Sequence, residues 1–472
     1  MNIIHIATEV GPFSKVGGLA DVLKSLPPAL AQNNLRVLVF SPFYREVKSR
    51  FPDPEVILPE IEAKIGDSVK KARILRISPD KNPAEFYFID NPGYFDRDGI
   101  YGTPRGNHTD NAQRYLFFCR AALEAMRKLA VRPAVVHCHD WQTTPACFII
   151  NKIRELDPVF ADTKTIVSVH NLSYQGMFLR ALADIDDIFK EPEFELHGKI
   201  NFLKAGLVSA DALMTVSPNY AKEILTKEFG CGLEGVLMER SRDLTGILNG
   251  ADYQEWDPAC DAFIDKQYDL KTISIKKDIK LSLLDALSIK KDRELPVVGF
   301  VSRLVYQKGI DIFLENFNEL AKKNIRFVIL GNGEKSQENK ALATAKKYPG
   351  RLSVKLAFDN PLAHKIMAGA DFLMIPSRHE PCGLTQLYAM KYGTIPIVNK
   401  TGGLSDTVID DKTGIVFSPL TAQTIANAVE RAIKLYNDKT DFTGMRKKIM
   451  SLDWSWKKSA KAYKALYEKL LG

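Results

Sequence analysis

Short apolar runs separated by amphipathic helical stretches recur along the whole chain, and no other feature limits the fold as tightly. In the first half the runs are Ile3–Ala7, Arg36–Phe40, Arg73–Ile77, Phe86–Ile89, Ala134–Cys138, Thr165–Val169 and Ala212–Val216. In the second half they are Val297–Val301, Arg326–Leu330, Leu352–Leu356, Phe372–Ile375 and Ile395–Val398. Helical patterns such as Ala112–Leu129, Ile310–Lys323 and Ile425–Tyr436 lie between them. This alternation is the signature of βαβ units and a parallel sheet, hence an α/β fold. Residues 250–295 break the rhythm with Trp256-Asp257-Pro258, a polar helix rich in Lys and Asp, and Glu294-Leu295-Pro296. The break predicts two doubly wound domains of similar size, residues 1–245 and 246–455. Residues 456–472 read as an amphipathic helix that returns to the first domain.

Composition narrows the class further. At 472 residues the chain exceeds a single compact core, and 45% hydrophobic with 26% charged residues is globular, excluding disordered and fibrous classes. No apolar run approaches the ~18 residues of a membrane span. Met1–Ala7 lacks the charged leader of a signal peptide and reads as a strand. Six dispersed cysteines without a C-x-x-C pair argue for a reducing compartment and against a disulfide framework or structural zinc. The net charge of +8 is mild for this length and fits a solvated basic surface better than an anionic ligand.

Polar residues gather where an open α/β sheet binds ligands, beyond the carboxyl ends of the strands. Ile3–Ala7 leads into Lys15-Val16-Gly17-Gly18-Leu19-Ala20-Asp21, Ala134–Cys138 into His139-Asp140-Trp141, and Thr165–Val169 into His170-Asn171. In the second half, Val297–Val301 leads into Arg303 and Lys308-Gly309, and Phe372–Ile375 into Glu380-Pro381-Cys382-Gly383-Leu384-Thr385. Five such strand ends, from both halves, predict a cleft between two domains. Gly17-Gly18 reads either as a phosphate-binding turn before a helix or as a plain turn. Arg303 and Lys308 form a plausible diphosphate clamp, against the alternative of two solvated cations. Glu380 could grip sugar hydroxyls or simply satisfy a helix entry.

Weaker signals accompany these. Lys15-Val16-Gly17-Gly18-Leu19 is echoed by Lys400-Thr401-Gly402-Gly403-Leu404, which suggests a second Gly-Gly turn with exposed N–H groups. His137 and His139 share a strand face, but no third ligand at diagnostic spacing makes a zinc site. Asp96-Arg97-Asp98 and Asp184-Ile185-Asp186 have a D-x-D form but read as solvated loop acids. Gly331-Asn332-Gly333 lacks the third glycine of a dinucleotide fingerprint, since Ser336 stands there. The loop from Asn91 to Gly102 presents Tyr94 and Tyr101, which either face a sugar or tuck into the domain.

These strings resemble the bacterial glycogen synthase and plant starch synthase family of retaining glucosyltransferases, over essentially the whole chain. The resemblance rests on Lys15–Val22, His139–Trp141, His170–Gly176, His197–Ile224, Gly246–Asp252, Ser302–Gly309 and Glu380–Gly393. Tyr388 stands where related enzymes usually carry a second Glu, which favours the glycogen and starch branch. Val16 replaces the Thr of the commonest bacterial motif, as in some starch synthases. The resemblance implies the GT-B architecture, two Rossmann-like doubly wound domains facing a central cleft, with acceptor on the first and nucleotide sugar on the second. It implies glucose transfer from ADP-glucose to the non-reducing 4-OH of an α-1,4-glucan, glycogen or malto-oligosaccharide, with retention and without metal or cofactor. Arg303 and Lys308 would stabilise the departing phosphate, assisted by Gly17, Gly18, Leu384 and Thr385, with Cys382 and Gly383 in the same loop. Lys15 would lie near phosphate and acceptor with Asp21 beside it. Glu380 would hold glucose hydroxyls, His170 the donor sugar, and Asp140 and Asn171 would shape the pocket. Asn249 would sit near the domain junction.

The rival readings are another GT-B glucosyltransferase using UDP-glucose or a small acceptor, and a non-catalytic glucan-binding protein. The expected setting is the cytoplasm, or the plastid stroma for a mature plastid enzyme, with no membrane or nucleic-acid partner.

Overall fold

The computed structural model describes residues 1–179, 189, 191–289, 292 and 294–472. The chain divides into two compact units, Met1–Gly250 with Trp456–Gly472, and Ala251–Ser455.

The first unit is built on a nine-stranded sheet. Its parallel strands, in chain order, are Asn2–Ile6, Arg36–Pro42, Glu85–Asp90, Val135–His139, Lys164–Val169 and Ala212–Thr215. Numbered so, they lie in the order 3-2-1-4-5-6, with Leu244–Gly246 added beyond the sixth. This is the doubly wound arrangement, and its switch point falls between the first and fourth strands. Strands covered on both faces are largely apolar, and every residue of Val135–His139 is buried, its two histidines included.

The antiparallel hairpin Glu55–Ile65 and Ser68–Ile77 extends the opposite edge. The run Arg73–Ile77 is therefore not part of the parallel set, as the alternation had implied. Its partner Glu55–Ile65 is half-exposed and carries no continuous apolar run, which hid the hairpin. The D-x-D at 184–186 lies outside the described residues.

The second unit repeats the same order with Val297–Val301, Arg326–Leu330, Leu352–Lys355, Phe372–Ile375, Ile395–Asn399 and Ile415–Phe417. Its switch point lies between Val297–Val301 and Phe372–Ile375, which pair in parallel. Phe313, Phe317 and Phe327 pack edge to face in the core of this unit, with Phe300 tilted 31° against Phe313. The predicted helix Ile310–Lys323 is two, Ile310–Glu315 and Phe317–Ala321, broken at Asn316, whose amide donates to the Ala422 carbonyl at 2.6 Å.

Candidate active site

In the first unit the groups beyond the switch point are tied together by a residue with no motif of its own, Glu9. It is buried, three residues past the end of strand Asn2–Ile6. Its Oε2 accepts the Val16 and Gly17 backbone N–H groups at 2.7 and 2.6 Å, and its Oε1 accepts the Tyr101 hydroxyl at 2.7 Å. The Tyr101 oxygen also meets the Thr8 hydroxyl at 2.9 Å. The Gly17-Gly18 turn is thus held from beneath by a carboxylate whose partner lies 92 residues away in sequence. Only the position of Thr8-Glu9 at a strand end signals it. A Cβ on Gly18 would meet nothing within 4 Å, so that turn is open above. Lys15 pairs with Asp21 at 2.6 Å at the start of helix Gly18–Ala31.

The echo at Lys400–Leu404 behaves differently. Gly402 has φ +45, and a Cβ there would fall 2.0 Å from the Glu380 carbonyl oxygen. The Gly403 N–H donates to the Glu380 carbonyl at 3.0 Å. The second Gly-Gly turn therefore buttresses the Glu380 loop instead of offering free N–H groups, contrary to the expectation from the echo.

The aromatic loop turns Phe95 inward and leaves Tyr94 and Tyr101 half-buried. Phe95 is fully buried and the Tyr94 ring packs on Phe117 at 5.1 Å, while Tyr101 spends its hydroxyl on Glu9. Asp96 and Asp98 are neutralised by Arg45, each at 2.7 Å.

Asp140 follows strand Val135–His139 in a left-handed conformation, φ 57, which its short polar side chain tolerates. Its Oδ1 accepts the His170 backbone N–H at 2.7 Å. Burial pushes the Asp140 carboxyl up to about 7, helped by the charge on Glu9 and opposed by the His170 N–H. Burial likewise lowers His170 to about 4, so its ring is neutral near pH 7. Asn171 folds its side chain onto the Ser173 N–H at 3.1 Å. Asn249 is buried, with an Oδ1 that finds no partner among the described residues. Beside these groups a cleft of about 680 Å³ is bounded by Trp141, Tyr174, Gln175, Phe178 and His108.

His5, from the neighbouring strand, brings a third imidazole to His137 and His139, with ligand atoms within 4.8 Å of one another. His137 and His139 use both ring nitrogens in hydrogen bonds, so a metal ion would have to break that network.

In the second unit the two loops flanking the switch point meet directly. Lys308 Nζ lies 2.6 Å from Glu380 Oε2, and the Ser377 hydroxyl donates to that same oxygen at 2.8 Å. Both side chains of the pair are largely buried. The sequence treats Lys308 and Glu380 as separate motifs; the fold makes them one unit. Arg378, bidentate to Asp311 and 3.6 Å above the Tyr306 ring, ties the loops again. Arg303 is exposed and has no partner among the described residues. Gly383, at φ +72, and Cys382 lead into helix Thr385–Lys391, with Gln386 donating to both of their carbonyls at 3.0 Å.

A family model described as the starch synthase catalytic domain matches residues 2–239, and one described as glycosyl transferases group 1 matches residues 286–448. A glycogen synthase of Thermodesulfovibrio yellowstonii is 42% identical over 490 aligned positions, covering 100% of this chain and 98% of that protein. A glycogen synthase of Koribacter versatilis is 41% identical, covering 99% and 98%. The catalytic domain of starch synthase IV from Arabidopsis thaliana, solved bound to ADP and acarbose, superposes with a TM-score of 0.89 at 30% identity, covering 99% of each chain. Sucrose-phosphate synthase from Thermosynechococcus elongatus shares the fold, with a TM-score of 0.62 at 17% identity over 99% and 98%.

Proposed function

Because the chain belongs to the glycogen and starch synthase family of glycosyltransferases, with the two Rossmann-like domains of the GT-B class, we propose that it transfers glucose from ADP-glucose to the non-reducing 4-OH of an α-1,4-glucan with retention of configuration. The observation that carries this reading is the Lys308–Glu380 pair at the second switch point, with the unpartnered Arg303 on the same loop. A departing nucleoside diphosphate develops negative charge, and cations preorganised at that spot stabilise the transition state more than the ground state. Glu380 holds Lys308 through one oxygen, while the other has no hydrogen-bond partner among the described residues and suits a glucose hydroxyl. Gly383, Leu384 and Thr385 line the same loop on the donor side. His170 and Asp140 serve the sugar, and Lys15 with the Gly17-Gly18 turn serves phosphate and acceptor. The cleft at Trp141, Tyr174 and Phe178 supplies aromatic faces for a glucan.

No residue is assigned as a nucleophile; the leaving phosphate itself helps deprotonate the acceptor. The catalytic domain of Arabidopsis starch synthase IV, solved bound to ADP and acarbose, supports a nucleotide-sugar and glucan pair of substrates. No disulfide joins any of the six cysteines, which suits a cytoplasmic setting. Among the described residues no helix is long and apolar enough to cross a membrane.

Nucleotide release is to be measured with ADP-glucose and UDP-glucose, on glycogen, on maltose and without acceptor. The reading expects ADP release that depends on glycogen and yields α-1,4 extension. Preferential UDP release would move the protein to another donor, and glucan binding without nucleotide release would make it a binding protein. Lys308→Ala should lower kcat by about 10²–10³, the loss typical of one preorganised donor to a developing anion. A folded variant within threefold of the parent would overturn the role of Lys308.

A further inference from the structure

Behind His170 lies a chain of imidazoles that the reaction chemistry above does not use. His5 Nδ1 is 2.9 Å from His139 Nε2, and His139 Nδ1 is 2.9 Å from His170 Nε2. His5 sits on strand Asn2–Ile6, in register with His137 on the neighbouring strand, which also carries His139. The rings stack, His5 on His139 at 5.2 Å and His137 on His139 at 4.4 Å. His5, His137 and His139 are all fully buried. At the inner end of the chain, His5 Nε2 is buried and has no hydrogen-bond partner among the described residues. At the outer end, His170 Nδ1 meets no partner among the described residues.

Proton counting decides which way this chain points. Burial keeps every ring in it neutral, lowering His5 to about 3 and holding His139 well below the usual histidine range. A neutral imidazole has one N–H and one lone pair. Two inter-ring hydrogen bonds among three neutral rings allow only two arrangements without a clash, all protons on Nδ1 or all on Nε2. With Nε2 protonated throughout, His5 would bury an N–H with no acceptor, the orphan that native structures avoid most strictly. With Nδ1 protonated throughout, His5 buries only a lone pair. His137 sits outside this chain and has the opposite tautomer. The Ser168 hydroxyl gives its proton to Met214 Sδ and so accepts from the His137 Nε2–H at 2.6 Å, which leaves Nδ1 as the acceptor for the Tyr467 hydroxyl at 2.8 Å.

From the orphaned inner nitrogen and the two 2.9 Å contacts we infer that His5 and His139 are positioning residues, which lock His170 as a neutral imidazole whose Nδ1–H is a fixed donor aimed outward. His170 therefore offers a hydrogen bond to a sugar hydroxyl or phosphate oxygen and does not act as a base through Nδ1. The tautomer assignment stands on the contact geometry and on the neutrality of the buried rings, and only its use toward substrate rests on the glucosyltransferase reading.

Neutron diffraction on the perdeuterated full-length protein near pH 7 reads the protons directly. Deuterium is expected on Nδ1 of His5, His139 and His170 and on Nε2 of His137, which serves as an internal contrast. Deuterium on Nε2 of His5 or His170 overturns the inference, whatever the protein catalyses, and the result does not depend on any variant folding. The kinetic arm compares His139→Asn, whose amide takes the place of Nδ1 and still donates to His170, with His139→Gln, whose amide takes the place of Nε2. Donor kcat/KM should stay within about threefold for Asn and fall at least tenfold for Gln, with ADP affinity unchanged in both. An equal loss in the two variants, or none in either, overturns the positioning role.

Discussion

At the scale of single residues, the groups near the first switch point are arranged by who must stay uncharged. Asp140 is the clearest case, because burial and the charge on Glu9 outweigh the backbone N–H groups of His170 and Asn171 that face its carboxylate. A carboxyl raised to about 7 in the fold, from about 3.9 unfolded, favours the protonated native state. The stability it contributes is fully present below the unfolded value and is lost as pH rises through 7. Asp140→Asn keeps an acceptor for the His170 N–H, tolerates the left-handed φ of 57, and removes the charge. The variant should match the parent in Tm near pH 4 and exceed it near pH 8 by about 10 °C, since moving the carboxyl from about 3.9 to about 7 is worth ~4 kcal/mol at ~2–4 °C per kcal/mol for units of this size. Scanning calorimetry across that range is the check, and parallel Tm curves for the two proteins would refute the raised carboxyl. Activity is expected to fall in the same variant, so stability and function separate here.

At the scale of elements, the second sheet brings a loop from each side of its switch point close enough to touch. Gly309 makes this contact in the second unit. Its φ is +70, and a Cβ would stand 1.9 Å from the Pro376 carbonyl oxygen, which leads into the Glu380 loop. Gly309→Ala must push the Lys308 loop off the Glu380 loop, at a cost of at least about 2 kcal/mol, of which ~1–2 is the left-handed backbone. Gly350 has nearly the same φ, +72, with open space around it, so Gly350→Ala isolates the backbone share. Urea unfolding should show the larger loss at Gly309, and only that variant should lose kcat; equal losses would mean that the loop contact is unimportant. The glycine was visible in the sequence as the residue after Lys308, but its contact was not, because Pro376 approaches from 67 positions away. The apolar runs marked the interior strands well, since strands buried on both faces must be apolar. The edges escaped: Glu55–Ile65 is half-exposed, and Leu244–Gly246 and Ile415–Phe417 are three residues each, too short for a pattern. Strand-end motifs marked Lys15, Asp140, Arg303, Lys308 and Glu380, yet Glu9, His5 and the Lys308–Glu380 pairing needed the fold. Tyr388 shows why a motif letter can be structural: its ring stacks on Trp256 at 4.4 Å, with His364 on the other face of Trp256 at 3.7 Å.

At the scale of the whole molecule, the second unit is an insertion into the first. The chain leaves the first unit at Gly250 and returns to it at Trp456. Closing a loop of roughly 200 residues costs entropy that grows only with the logarithm of its length. The second unit reduces that cost by joining its own ends, with Ala251 N–H donating to the Trp454 carbonyl at 2.6 Å and a parallel bridge from Ala251 to Ser455. The returning helix Trp456–Leu471 then buries Trp456, Ala460, Tyr463 and Tyr467 in the first unit. It packs against helix Gly18–Ala31, where Lys464 donates to the Asn33 carbonyl just past the helix end at 3.2 Å. Tyr467, five residues from the end of the chain, therefore supports a histidine on a central strand, His137, 330 positions earlier. Two units with separate cores should not unfold as one transition. Tyr467→Phe removes one buried hydrogen bond and leaves His137 Nδ1 unmet, a loss of about 1–2 kcal/mol. Calorimetry should show two transitions, with Tyr467→Phe lowering the one that Gly309→Ala leaves in place. If both substitutions lower the same transition, the terminal helix stabilises the second unit instead, and the division of the chain at Gly250 and Trp456 is wrong.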